Sequence, residues 1–522
     1  MRYLQAFFAV FAVALLCAAS PAFAAIDDAG AARLKADIEK ATQWHTEIAT
    51  AAGQGMRFDG PVTVTPVDDH YEVRLEDIVM LTGTGLSVRM KAVIVNARTA
   101  ENEKWMLSAA LPSSIGVFDA AGEAIGAVRI GKQALSALWS GESDLVEKYD
   151  LSYEDISFAP AGKTPLSFSI KKIASVMNME LAGGDMWNGP VTFGIEGVSL
   201  SLPDKTNVID AALGSFHSRI VYAGLPMRGM KDARARALEI VRAGEGDLNH
   251  EALRKALKEV FERDAYIPAD VTAEYNVRDI NLRSTNTKKD GAAGNAIGLR
   301  VGSVTANSSM TGLKSAKAKV LTHVDATDIR PEGAPDILQG LLPHTLRWEV
   351  NLHDLPAEDI GDLFMTAVEQ VLAQREGQAP DLVAKQALKE KLRTLPQLLH
   401  ESGARVEMKD THMKARDFEM RGTMDIKVDA ASPLWLSGTA DLNLHGLDEF
   451  MIRSKRETQN SAQIQNYAGM VLPVQMAGQL DRDENGRSIR RYTFEFTAEG
   501  GVLLNGTDLS LMTEALMPRP SK

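Results

Sequence analysis

One short pattern of apolar and polar positions returns eight times along this chain: apolar-x-apolar-x-x-apolar-x-apolar, with Asp or Gly closing the central pair. Four copies are tight: Val73-Arg-Leu75-Glu-Asp77-Ile78-Val-Met80, Leu151-Ser-Tyr153-Glu-Asp155-Ile156-Ser-Phe158, Phe193-Gly-Ile195-Glu-Gly197-Val198-Ser-Leu200 and Tyr275-Asn-Val277-Arg-Asp279-Ile280-Asn-Leu282. Looser copies end at Asp328-Ile329, Asp354-Leu355, Asp417-Phe418 and Gly446-Leu447. Alternation with period two marks a strand with one buried face, and a skipped beat moves the apolar set to the opposite phase. A bulged residue at the skip restores the same face to the core and bends the strand. The pattern predicts an α+β, β-dominant fold of large curved antiparallel sheets, with repeated bulged strands and amphipathic helical inserts. Asp77, Asp155, Gly197, Asp279, Asp328, Asp354, Asp417 and Gly446 are the predicted bulge positions. Their spacing is too uneven for a solenoid of fixed period.

Between the strand-like runs the period changes. Leu34, Ile38, Ala41, Trp44 and Ile48 have the three-four spacing of an amphipathic helix, predicted within 25–55 and closed by Gly53 and Gly55. A β-rich half follows over 56–230, with Trp187-Asn188-Gly189-Pro190 read as a turn. A helical insert over 231–264 precedes a β region over 265–355. A second insert, 356–403, opens on Pro356, Glu358 and Asp359 and closes on Gly403. The remainder, 404–522, reads as a C-terminal β region with one helical stretch near 448–467. The apolar stripes of the inserts are read mainly as core, with a lid over a groove as the other reading.

The N-terminus adds an address. Arg2, an apolar run over about residues 6–19, Pro21 and Ala22-Phe23-Ala24 form the pattern of a secretory signal peptide, predicted over 1–24. The expected location is the periplasm; the alternative is an inner-membrane anchor formed by residues 6–19. The only cysteine, Cys17, lies inside this segment, so the mature chain would have neither disulfides nor a thiol nucleophile. The net charge of −12 and the lack of a basic stripe with interleaved aromatics exclude nucleic acid as a partner.

Candidate chemistry changes this picture little. Gly126 to Gln133 imitates a phosphate loop, but Gln133 stands where a hydroxyl should hold magnesium, so no nucleotide is expected. Asp481, Asp483 and Asn485 ahead of Gly486 are a weak calcium candidate, because acidic oxygens at alternate positions can wrap the ion. The twelfth position, which needs a bidentate carboxylate, is Tyr492, and Asn485-Gly486 reads better as a hairpin turn. The ten histidines are scattered, without a metal-ligand pair, and no Gly-x-Ser-x-Gly elbow is present. Glu76-Asp77 and Glu154-Asp155 are carboxylate pairs, but they sit inside the strand pattern and read as bulge residues. Trp105, Trp139, Trp348 and Trp435 read as core anchors. No cofactor, metal or catalytic residue is predicted.

The signal segment, the bent-strand repeat, and the C-terminal segments Gly422-Thr-Met-Asp-Ile426 and Leu434-Trp-Leu-Ser-Gly-Thr-Ala-Asp-Leu-Asn-Leu-His-Gly-Leu-Asp-Glu-Phe450 resemble proteobacterial envelope proteins of the YdgA-like and AsmA-like kind. The resemblance implies an elongated, curved antiparallel sheet in the periplasm and, for AsmA-like members, a role in lipid transport or outer-membrane assembly. It carries no catalytic residues. A cleaved signal and large helical inserts depart from the AsmA-like pattern. The expectation is a non-catalytic periplasmic protein with an apolar groove for lipid or a hydrophobic protein segment. The alternative is a structural or assembly factor that binds a protein partner through sheet edges or helices.

Overall fold

A computed structural model describes residues 26–509 apart from 53–54, 83–84, 142–144, 163–165, 204–206, 228–266 (235 and 239 excepted), 288–292, 334–338, 341, 362, 364–392, 458–470 and 484. The predicted signal segment and nearly all of the insert over 231–264 lie outside the described residues. Of the second insert only the ends are described, and residues 357–361 and 393–402 are helical. The chain is β-dominant with antiparallel ladders, and it divides into two compact units. The first is Met1–Val271 with Ala367–Asp381, the second Thr272–Thr366 with Leu382–Lys522.

The first unit opens with helix α1 (Asp28–Ala52) and continues as β1 (Gly55–Phe58), β2 (Val62–Val67), β3 (His70–Leu81), β4 (Ser87–Thr99), β5 (Trp105–Ala110), β6 (Ser114–Phe118), β7 (Ala124–Arg129), β8 (Lys132–Ser140), β9 (Leu145–Pro160), β10 (Ser167–Asn178), β11 (Glu180–Gly183), β12 (Met186–Pro203) and β13 (Asn207–Pro226). β4 pairs with both β5 and β6, and β9 with both β7 and β8. Thus β5 with β6, and β7 with β8, act as long strands broken once. A side chain bridges the gap: Leu111 N–H donates to Gln133 Oε1 at 2.8 Å, and Gln133 Nε2 donates back to Leu111 O at 2.6 Å. The phosphate-loop imitation is therefore a broken strand, and its Gln133 replaces missing ladder bonds.

The skipped beat has a definite backbone. In β3 the buried side chains are Val73 and Leu75, then Ile78 and Met80; in β4 they are Val88 and Met90, then Val93 and Val95. The ladder steps from Glu76↔Ala92 to Ile78↔Met90, over Asp77. Both strands skip at one level, so each keeps its apolar face inward while the register is preserved. The ladder between β9 and β10 passes over Asp155, and that between β10 and β12 over Gly197, in the same way. Asp77, Asp155 and Gly197 have φ of 49°, 54° and 63°, and Asp279, Asp328 and Asp354 have 54°, 55° and 52°. This left-handed region is open to glycine and, among residues with a side chain, is best tolerated by Asn and Asp. Crowding at the kink reaches the break between β7 and β8, where a Cβ on Gly131 would lie 2.8 Å from the Cβ of Asp155.

Asp77, Asp155 and Gly197 are left-handed kinks rather than bulges, since no residue is inserted and the register runs unbroken across them; two further positions depart from the strand altogether. Asp417 lies in the turn between two strands, with no left-handed φ, and Gly446 (φ 81°) sits where a strand passes into a helix. A reversal or a change of element shifts the apolar phase just as a bulge does, so the pattern is the same and the structure differs. Asp328 separates two short-gapped strands, while Asp354 accompanies a true register shift opposite 318–320. Trp187-Asn188-Gly189-Pro190 is also not a turn. It lies within β12, the turn falls at 184–185, and Gly189 is needed because a Cβ there would meet the Asn178 carbonyl at 2.0 Å.

α1 packs into the apolar core of the first unit. Its Leu34 is 0% exposed and packs with Ala31 and Ile38 into one core containing Tyr71, Val73, Val88, Trp105 and Ile173. Trp105 Nε1–H donates to Asp37 Oδ2 at 3.2 Å, and the Arg33 guanidinium stands 4.9 Å from the Trp105 ring centroid. An apolar stripe of this kind contributes mainly by removing area from water, and the polar contacts fix the helix's position.

The second unit contains β14 (Asp270–Thr287), β15 (Ala293–Thr311), β16 (Lys317–Thr327), β17 (Arg330–Glu332), β18 (Pro343–Pro356), β19 (Arg405–Ala415), β20 (Glu419–Val428), β21 (Leu436–His445), helix α2 (Leu447–Glu457), β22 (Gln479–Arg482), β23 (Ser488–Phe496), β24 (Val502–Leu504) and β25 (Thr507–Asp508). From β15 the ladder order is β16, β18, β19, β20, β21 and β23.

Candidate functional site

Register turns seven strands of the second unit into an apolar lattice on one face. One row runs Met310, Val320, Leu352, Val406, Ile426, Gly438, Phe496; the next runs Ser308, Thr322, Val350, Met408, Met424, Ala440, Phe494. A third contains Ala306, Val324 and Trp348 and, beyond the bulge in β19, Thr411, Gly422, Leu442 and Tyr492. A fourth runs Val304, Ala326, Leu346, Met413, Met420, Leu444, Arg490. At ordinary strand spacing and rise the lattice covers roughly 29 by 20 Å.

Coverage of this face is uneven. At the β21–β23 end, Leu444, Leu447 and Tyr492 are buried with Phe418, Leu442, Val471 and Phe494 packed around them. Arg490 there pairs with Asp448 of α2 at 2.8 Å, and Tyr492 O–H donates to the Val474 carbonyl at 2.6 Å. From β15 to β19 the same rows stay half-exposed, and only Ala326 is buried. Met310 is 39% and Trp348 46% exposed, so Trp348 is not the core anchor predicted for it, whereas Trp105 and Trp139 are buried. Exposed apolar side chains grouped on one sheet face mark a candidate interaction surface.

The opposite face carries charge, and it gathers histidines that lie far apart in sequence. His323 Nε2 is 2.5 Å from Asp325 Oδ2, His353 Nε2 3.3 Å from Glu407 Oε2, His412 Nε2 3.2 Å from Glu419 Oε1 and His445 Nε2 4.0 Å from Asp483 Oδ2. Burial opposes the charged form of Asp325, but hydrogen bonds from Arg347 and His323 outweigh it and hold the carboxyl below its ordinary range. Glu419 is held low in the same way by Arg421, and Asp483 by Arg487. His445 is pushed down by burial and by the positive charge of Arg487. Each histidine stands beside a carboxylate, and toward β20 and β23 the group is enclosed: Glu419 is buried, and His412 Nε2 and His445 Nδ1 are buried without a hydrogen-bond partner.

The predicted site residues are placed as follows. Asp481 lies in β22 and accepts the Arg482 N–H at 2.8 Å. Asp483 closes a turn: its Oδ1 accepts the N–H of Asn485 at 2.9 Å and of Arg487 at 2.7 Å, and its Oδ2 accepts Arg487 Nε at 2.7 Å. The carboxylate the calcium reading needs is thus engaged in a hairpin between β22 and β23. Among the described residues no group of three or more His, Asp and Glu is placed to hold a metal ion. Glu76 pairs with Arg74 at 2.6 Å and Glu154 with Lys132 at 3.2 Å, so each pairs across its strand surface rather than facing a pocket. Among the described residues no helix is long and apolar enough to cross a membrane. No protein-family model matches this chain, and neither a curated protein nor a solved structure does.

Proposed function

We propose that this chain is a non-catalytic, exported envelope protein that holds acyl chains of lipid against the open apolar face of its second unit, with residues 1–24 removed on export. The observation that carries the reading is the half-exposed lattice from β15 to β19, with Trp348 and Met310 exposed upon it. Its aliphatic and methionine side chains offer soft, adaptable contacts suited to a flexible hydrocarbon chain. The charged face behind it keeps that side of the sheet in water.

Native mass spectrometry of the protein, purified without detergent and followed by lipid extraction, tests the proposal. Bound acyl lipid that is lost in Trp348→Asp supports it. A ligand-free protein, or a lipid load unchanged by Trp348→Asp, contradicts it.

A second reading, docking of a protein partner, has its own support. All four residues of β22 are exposed at a sheet edge, flanked by Met476 (76% exposed) and including Leu480 (65% exposed). Strand addition to such an edge is an established mode of peptide recognition. Cross-linking from position 480 in cells to one recurrent protein, with no extractable lipid, would favour it.

A further inference from the structure

In the block formed by β15, β16, β18 and β19, the four rows of the apolar face contain three polar side chains: Thr411, which stands opposite Gly422 with its hydroxyl buried, and two that are neighbours, Ser308 and Thr322, which face each other across the ladder. Their hydroxyls are 3.4 Å apart, a long contact for two O–H groups. Both side chains are half-buried. Met310 and Val320 flank them on one side, Ala306 and Val324 on the other, with exposed Met310 and Trp348 in those flanking rows. No lysine or arginine stands in these rows until Arg490, six strands away on β23 and already paired with Asp448.

Resting on the acyl-chain reading above, we infer that the hydroxyl pair of Ser308 and Thr322 takes the polar end of the ligand, and that this end is uncharged: an ester or hydroxyl on a single acyl chain. A hydroxyl both donates and accepts, so two side by side can satisfy a carbonyl and an alcohol together. A carboxylate or phosphate brought to the same place would lose water without gaining a cation, which costs far more than the two hydrogen bonds return. The apolar rows on both sides then hold the chain, and the hydroxyl pair sets its register along the face.

The test uses the full chain and the neutral dye N-phenyl-1-naphthylamine, displaced either by 1-monolauroylglycerol or by laurate. The two competitors share a chain length and differ at the polar end. The wild-type protein should favour the monoglyceride by about tenfold, the scale of one or two net hydrogen bonds. Ser308→Ala with Thr322→Val, close in volume to the originals, should erase that preference by weakening displacement by the monoglyceride about tenfold relative to laurate, and thermal melting checks that the variant is folded. Equal preference in wild type and variant, or tighter binding of laurate, overturns the inference while leaving the acyl-chain reading standing. Absence of dye binding, or dye binding unchanged by Trp348→Asp, overturns both.

Discussion

The two units apply the same strand device to opposite ends. In the first, the apolar faces of β3, β4, β9 and β10 close into one core with α1, and Leu34, Tyr71, Val73, Val88 and Trp105 are at 0% exposure. In the second, rows of equal apolarity on β15, β16, β18 and β19 remain half-open, with Trp348 and Met310 exposed. A strand's alternation states which face is apolar; whether that face becomes core depends on what the chain lays over it. The first unit uses its apolar face for stability; on the function proposed above, the second leaves it for binding.

The largest effect should come from opening the closed face. Leu34→Ala removes a fully buried side chain from α1 and should cost about 2–5 kcal/mol, whereas Trp348→Ala should change stability by no more than about 0.5–1 kcal/mol, as an exposed position does. Hydrogen exchange resolved by peptide can follow both, since local opening reports each unit separately. If Trp348→Ala proves as costly as Leu34→Ala, the contrast between the faces fails.

The shared kink comes next. Gly131→Ala would force a Cβ to within 2.8 Å of the Asp155 Cβ and should cost about 1–3 kcal/mol. Asp155→Ala should lose about 1–2 kcal/mol because alanine is poorly suited to the left-handed region, while Asp155→Gly should recover most of that loss. Denaturant melts of the three variants check the order, and equal losses for Asp155→Ala and Asp155→Gly would show that backbone strain is not the reason for Asp at the kink.

The smallest effect belongs to the charged face of the second unit. His445 is pushed below its ordinary value by burial and Arg487, so the unfolded chain takes up a proton first as pH falls through about 6.5. Its contribution is therefore present above that pH and lost below it. The carboxylates Asp325, Glu419 and Asp483, all held low, contribute stability above about pH 4 that is lost further into acid. Melting curves of the wild type and His445→Gln between pH 7.5 and 5.5 should diverge, with the wild type losing more. Parallel curves would remove His445 from the account.

Much of the architecture was legible in the chain. The phase skip at Asp77 and Asp155 showed where strands kink, because period-two alternation records every change of face. It could not separate a kink from a reversal, and Asp417 has the same local pattern in a turn. Trp348 was misread for a different reason: its apolar neighbours Val350 and Leu352 were visible, but its exposure on the folded sheet is a tertiary fact. The histidines appeared scattered because pairing of β16, β18, β19 and β21 assembles residues 323, 353, 412 and 445, and no short window contains two of them. The Ser308 and Thr322 pair was hidden likewise, since only the register places them side by side.

The central claim, that the second unit has an open acyl-binding face where the first has a closed one, is tested most directly by photolabelling. The purified protein would be irradiated with a diazirine-bearing palmitoyl lipid and its labelled peptides mapped. The account predicts label on the strands carrying Met310, Val324, Trp348 and Met408, and none on β3, β4, β9 or β10. Label concentrated on the first unit, or none on the second, would contradict it.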